Sequence, residues 1–297
     1  MKTLQRTTIK GILGLIVILF VFKICYSQPL ILTTPKTKLT PLAPVQHHYK
    51  TLGKLSVEPN ENERETDVIR FPNKKYQLLI RLFKPAYLTR KQLKALTNEI
   101  QPPANSSAQT KAELEFLLDL QEKRTVEQEK MALDWNSIVY VPVPTMKGDE
   151  DLFFEGQYIM GDNCTAENYP ATKTILKNIM KEMRIMEFTA KNHFLRARPR
   201  QLSKSLKPLV EMNTPSFASG HTLWAYLQAY IWAELIPQKR TEFLDLAYEI
   251  GFSREILGVH YPSDEEAARQ LSYKMLDLMW KTEKFQKHLE AAKAEWE

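Results

Sequence analysis

Three short clusters in the C-terminal half of this 297-residue chain carry the side chains that could do chemistry. They are Lys191–Pro199 (KNHFLRARP), Ala218–Thr222 (ASGHT) and Ser253–Asp264 (SREILGVHYPSD). Together they hold three cations (Lys191, Arg198, Arg254), two imidazoles (His221, His260), Ser219, Gly220 and the carboxylate of Asp264. That set suits gripping a tetrahedral, phosphate-like anion and attacking it with an imidazole. Lys191 and Arg198 are seven residues apart, which on a helix puts both on one face, and Pro199 is expected to end that helix. A guanidinium fork matches the oxygens of such an anion. Gly220 and His221 stand just before an apolar helical run. Free N–H groups at a helix start bind anions, glycine lets the backbone come close, and the Ser219 hydroxyl adds a donor. His221 is placed to protonate a leaving oxygen. Arg254 and His260 are expected on one helix stopped by Pro262, with Asp264 four residues beyond His260. A carboxylate on Nδ1 fixes the tautomer and leaves Nε2 free as a nucleophile.

Each cluster alone also has a plainer reading. Lys191 and Arg198 could belong to a solvated basic face with Arg196 and Arg200. Ser219 could be an ordinary helix cap, His260 a hydrogen-bonded core histidine, and Asp264 a helix-start acid like Glu265 and Glu266. About ten residue types at set spacings in three windows rarely arise together by chance, and that joint occurrence favours the chemical reading. His47 and His48 read as solvated, His193 as a neighbour of the first cluster, and His288 as part of a polar helix. No HExxH or comparable metal spacing occurs, so neither a metal site nor a cofactor is expected.

The elements that must position these groups read as helices throughout. Thr89 can cap a helix over 90–100, and the spacing predicts further helices over 111–133, 171–194, 222–235, 242–260, 263–281 and 284–297. Ser263 and Glu266 stand in capping-box register, and the stripe Ile175, Ile179, Met183, Met186 reads as core. No stretch alternates with period two, so the fold class is all-α, a single helical-bundle catalytic domain over 85–297. Residues 28–84 form a proline-interrupted N-terminal extension, read as a linker by default.

Residues 1–27 differ in kind. A basic start, a short apolar run and a small-residue exit at Cys25–Ser27 read as a signal peptide cleaved after Ser27, which predicts a periplasmic or secreted protein. The run is shorter than the roughly 20 apolar residues of a membrane span, and no stable span is expected after its removal. The leader holds four cations and no acids, so the net charge falls from +6 to +2 beyond it. That balance, without a basic run, excludes nucleic acid as a partner. Cleavage would leave Cys164 without an intrachain disulfide partner, and it reads as a buried small residue.

The three clusters resemble the signature of the type 2 phosphatidic acid phosphatase superfamily: K-x6-R-P, P-S-G-H, then S-R-x5-H-x3-D. The longer stretches TAKNHFLRARP, FASGHTLWAYLQAYIWAEL and YEIGFSREILGVHYPSDEEAAR, with the PPA at 102–104, are similar to the bacterial class A non-specific acid phosphatases. The resemblance runs from about residue 85 to the end and implies a periplasmic helical-bundle phosphomonoesterase. Carried over, it makes His260 the nucleophile of a phosphohistidine intermediate, Asp264 its orienter and His221 the general acid. It makes Lys191, Arg198, Ser219, Gly220 and Arg254 the phosphate-binding set, needing neither metal nor cofactor. Small-molecule phosphate esters are the implied partners, and self-association into a homo-oligomer is allowed. Ala218 departs from the family's proline, and Arg200 departs at the pocket rim. A vanadium-dependent haloperoxidase, a phosphotransferase to alcohol acceptors, a membrane lipid-phosphate phosphatase and a non-catalytic phosphate-binding protein are the alternatives. Opposite protonation demands on two imidazoles of ordinary pKa predict a bell-shaped, acid-side pH profile.

Overall fold

Local capping chemistry sets where the helices begin and end. The computed structural model describes residues 39, 41–72, 81, 83–138 and 151–297, so the expected leader lies outside the described residues. In chain order the α-helices are α1 (Tyr49–Leu52), α2 (Arg90–Thr97), α3 (Ala108–Lys123), α4 (Val126–Asp134), α5 (Phe154–Met160) and α6 (Pro170–Phe194). They continue with α7 (Pro199–Leu202), α8 (Gly220–Leu235), α9 (Arg240–Ile256), α10 (Pro262–Trp280) and α11 (Glu283–Lys293). Among the described residues there is no β-strand, only one isolated bridge between Arg70 and Arg196. The all-α expectation holds.

The three largest departures from the sequence reading each have a local reason. The single helix expected over 111–133 is two. Arg124 turns extended (φ −60°, ψ 137°) and Thr125 restarts the chain with a Thr125–Gln128 capping box. Pro199 starts a helix instead of ending one: Leu195 adopts a left-handed φ of 50°, which closes α6 early, and proline takes the first position of α7. The helix expected to run through His260 stops at Ile256. There Gly258 (φ 70°) donates to the Glu255 carbonyl at 2.8 Å and Val259 N–H to the Arg254 carbonyl at 3.2 Å, the paired bonds of a Schellman stop.

The core forms around α8. Its sequence is apolar on every side, so it can only be stable buried on all sides. Of its sixteen residues, only His221 and Glu234 are not fully buried. It packs against α5, α6, α9, α10 and α11. Trp232 stacks on Phe243 with centroids 5.6 Å apart and meets Trp296 edge-on at 5.5 Å. The Ile175–Ile179–Met183–Met186 stripe of α6 is wholly buried, as expected of core. Two carboxylates, buried Glu182 and half-buried Glu295, fasten backbone N–H groups. Glu182 accepts N–H bonds from Ala86, Tyr87 and Leu88, and Glu295 accepts from Ala171 and Thr172 at the start of α6.

Residues 41–72, read from their prolines as a linker, are fastened to this bundle instead. Ala43 N–H donates to Tyr230 Oη at 3.1 Å, and Asp67 accepts from Ser106 N–H at 2.9 Å and from its hydroxyl at 2.6 Å. Lys38–Glu297 forms one compact unit. The left-handed Gly258 hinge admits other residues only under strain. Gly258→Ala should therefore lower the unfolding free energy by about 1–2 kcal/mol, read as the urea midpoint, with the denaturant slope unchanged.

Candidate active site

The start of α8, the turn after α9 and the start of α10 bring the clusters together. Asp264 is the third residue of α10, and its carboxylate reaches back to the Tyr261 N–H at 3.0 Å. This replaces the expected Ser263–Glu266 capping box. Asp264 Oδ2 also lies 3.1 Å from His260 Nδ1 and accepts the Ser216 hydroxyl at 2.5 Å. Nδ1–H therefore donates to Asp264, and Nε2 is the bare nitrogen of neutral His260. His221, the second residue of α8, places Nε2 3.2 Å from the Asn136 carbonyl. A carbonyl only accepts, so Nε2 of His221 carries the proton. The charges of Arg198 and Lys191 bear on His260, and that of Arg254 on His221, where the two imidazoles also sense each other. The two imidazoles share one electropositive environment.

The three predicted cations reach it from different elements, and each is buried. Lys191, in the last turn of α6, donates to the Pro215 carbonyl at 2.6 Å. Arg198 precedes α7 and donates to the carbonyls of Thr214 (2.9 Å), Pro215 (3.0 Å) and Val259 (2.6 Å). Arg254 donates through Nη2 to Asn136 Oδ1 at 2.9 Å, but its Nε and Nη1 are buried without a protein partner. Buried guanidinium donors left unpaired are costly, and an anion would satisfy them. Ser219 caps α8, its Oγ accepting from Thr222 N–H. Gly220 follows because the carboxylate of Glu187, held by Arg184 at 2.6 Å, occupies the space where a Cβ would stand.

Burial and mutual repulsion set the protonation states. Desolvation, then Arg254, pushes His221 well below the usual imidazole range; desolvation, then Arg198, does the same to His260. The expectation of two ordinary imidazole pKa values is corrected: both are lowered and both imidazoles are neutral. Burial also pulls Lys191 down to about 7, helped by Arg198. Arg198 and Arg254 are lowered by burial too, yet guanidinium groups hold their protons at neutral pH. Burial alone would raise Asp264, but Arg196, His260 and Ser216 together hold its carboxyl far below the usual range.

Several residues here were not legible as site residues. Arg196, grouped with a solvated face, is instead buried. It donates to Asp264 at 2.6 Å and Ser263 Oγ at 2.8 Å, lies 3.4 Å from Glu113, and covers the Tyr261 ring at 4.0 Å. Glu113 accepts from Ser263 N–H (2.9 Å) and Oγ–H (2.8 Å). Its signal was register: it sits four residues before buried Leu117 on α3. Glu265, grouped with helix-start acids, is wholly buried, bonds the Thr222 hydroxyl, and places Oε1 4.0 Å from His260 Nδ1. Desolvation drives its pKa well above the usual carboxylate value. A 390 Å³ recess flanks the site, lined by Arg198, Arg200, Lys204, Pro208, Met212 and Val259 among others. Among the described residues no group of three His, Cys, Asp or Glu could hold a metal ion, and no helix is long and apolar enough to cross a membrane.

Residues 171–287 match the sequence profile of the PAP2 superfamily. Over 81 residues the chain is 36% identical to a non-specific acid phosphatase of Providencia stuartii, covering 27% of this chain and 33% of that one. Over 117 residues it is 30% identical to the non-specific acid phosphatase of Salmonella typhimurium, covering 37% and 47%. The chain thus spans between a third and about half the length of the curated relatives it matches. A bacterial vanadium-dependent iodoperoxidase shares the fold, with a TM-score of 0.50 at 18% identity over 74% of this chain and 63% of that one.

The Lys191 position yields a pH prediction. Below about 7 its ammonium is charged and attracts an anion; above that value the charge is lost. Orthophosphate affinity should fall as pH rises through 7. Lys191→Arg should hold its affinity to higher pH. Calorimetric titration of both proteins at each pH from 6 to 9 cancels the ligand's own ionisation and reads the difference.

Proposed function

From a chain that carries a PAP2 superfamily domain over residues 171–287, we propose an acid phosphatase that hydrolyses small phosphate monoesters through a phosphohistidine. One observation carries this reading. Arg254 holds two buried donors with no protein partner, beside two neutral imidazoles anchored in opposite senses.

In the proposed cycle Lys191, Arg198 and Arg254 hold the phosphate oxygens, with Ser219 Oγ–H and the Gly220 N–H completing the cradle. His260 Nε2 donates its lone pair to phosphorus, and the bond from phosphorus to the alcohol oxygen breaks. His221 gives that oxygen a proton. Water then attacks the phosphohistidine, His221 takes back a proton, and orthophosphate and neutral His260 are released. Asp264 keeps Nδ1–H in place and stabilises the cation that forms on the ring.

The lowered pKa of His221 means its proton must arrive with the ligand. A phosphate ester has a second pKa near 6, so below that value it enters as a monoanion carrying its own proton. The doubly charged phosphoryl group that results offsets Arg254 and lets His221 hold the proton. His260 stays neutral, and so nucleophilic, well below pH 6.5. Lys191 is charged below about 7. These dependences place the optimum on the acid side. The basic and then apolar start of the chain supports export to the periplasm or beyond.

Turnover of p-nitrophenyl phosphate is the direct measurement. The wild type should hydrolyse it at pH 5–6 with chelator present, and orthovanadate should inhibit. His260→Ala should lose roughly three orders of magnitude or more in kcat. Full turnover by His260→Ala would sink the phosphohistidine. Orthophosphate binding without any turnover by the wild type would make this a binding protein, and halide oxidation requiring vanadate and peroxide would make it a peroxidase.

A further inference from the structure

The proposed cycle leaves one buried carboxylate beside the anion site without a task. Glu255 follows Arg254 at the end of α9, is fully buried, and shares its field with Asp264 and Glu265. An unpaired negative charge there would oppose the potential that Lys191, Arg198 and Arg254 create. Its partner comes from the far end of the chain. His48 Nε2 lies 3.3 Å from Glu255 Oε1 and 3.0 Å from Oε2. The His48 ring stacks flat on Phe116 of α3, centroids 5.0 Å apart, and also meets Phe252 of α9 at 5.6 Å. The sequence reading had this histidine solvated; its side chain is 16% exposed.

The segment around it is held on both sides. Arg269 of α10 donates to the Ala43 carbonyl, and Gln109 of α3 donates to Tyr49 Oη at 3.0 Å. The same amide nitrogen donates to Glu113 at 3.0 Å, and Glu113 leads through Arg196 to Asp264 and His260. The charged groups that face His48 are Glu255 from α9 and Glu113 from α3, with the Tyr248 phenol nearby at 6.4 Å between centroids. Burial alone would lower the His48 pKa, but the Glu255 hydrogen bond and the charges of Glu255 and Glu113 outweigh it and raise it, while burial raises Glu255 and His48 opposes that rise.

We propose that His48 is a positioning residue whose imidazolium neutralises Glu255 beside Asp264 and Glu265, making residues 41–49 a working part of the anion site. The proposal rests on the reading of this site as an anion site. Without His48, Glu255 either stands as a bare charge near Asp264 or draws a proton from solvent. At neutral pH the bare charge weakens anion binding.

The test is orthophosphate titration by calorimetry at pH 7 on wild type, His48→Phe, Glu255→Gln and the double variant. Phenylalanine keeps the stack on Phe116 and removes only the charge and hydrogen bond. His48→Phe should bind about tenfold more weakly, the scale of one uncompensated charge in a protein interior. The double variant, which removes the stranded carboxylate as well, should recover wild-type affinity. A purely structural role for the segment would leave the double variant as weak as His48→Phe, and that result overturns the proposal, as does unchanged affinity in His48→Phe. If the wild type binds no orthophosphate, the phosphatase reading has failed. The pairing is then judged, as it is if His48→Phe does not fold, by NMR titration of the His48 ring. A pKa above 6.5 in the wild type that drops in Glu255→Gln supports it; an unchanged titration overturns it.

Discussion

The arrangement of buried charge governs this site. Two kinds of partner divide the labour. Lys191 and Arg198 are tied to backbone carbonyls, which orient the cations without cancelling them. Asp264, in contrast, is matched to Arg196 while its carboxylate holds His260. Desolvation makes both choices matter. A charge out of water is felt at full strength over several ångströms, whereas at the surface it would be screened. Burial first, and the crowding of positive charge second, lower Lys191 and the two imidazoles.

The fold supplies these positions through helix ends more than helix faces. Lys191 sits in the last turn of α6, His221 in the first turn of α8, Arg254 in the last turn of α9 and Asp264 in the first turn of α10. Helix ends are where backbone groups are unsatisfied and where the chain can turn. The Schellman stop lifts His260 out of the helical register of Arg254, so the two need not point along a common face. The apolar α8 runs through the centre, and its own N-terminus is fixed by the packing of the whole bundle. Precision at His221 is thereby inherited from Trp232 and its aromatic neighbours some three turns away.

The helical class, most helix positions and the groups in the three clusters were legible in the sequence, because apolar periodicity and spacing are local properties. What was not legible has a common cause. Arg196, Glu113, Glu255 and Glu265 are charged residues that pattern reasoning assigns to water, since isolated charges avoid the interior. They are buried here because each meets an opposite charge or a hydroxyl, and those partners lie far away in sequence. The docking of residues 41–72 was hidden for the same reason: prolines report that a segment cannot form long helices, not that it lacks a binding surface on its own chain. The split between α3 and α4 was within reach, since Thr125 and Gln128 form a capping signal that the helical period overrode.

The triangle of Arg196, Asp264 and Glu113 has a consequence for how such a chain can change. Arg196 is its one positive corner and meets both carboxylates, so replacing it strands two buried acids, whereas removing either acid still leaves Arg196 an opposite charge. As far as charge pairing goes, a change at Arg196 has to be preceded by a change at one of the acids, and the order of substitutions is constrained. Lys191 and Arg198, held by uncharged carbonyl and hydroxyl oxygens, carry no such obligation to a carboxylate.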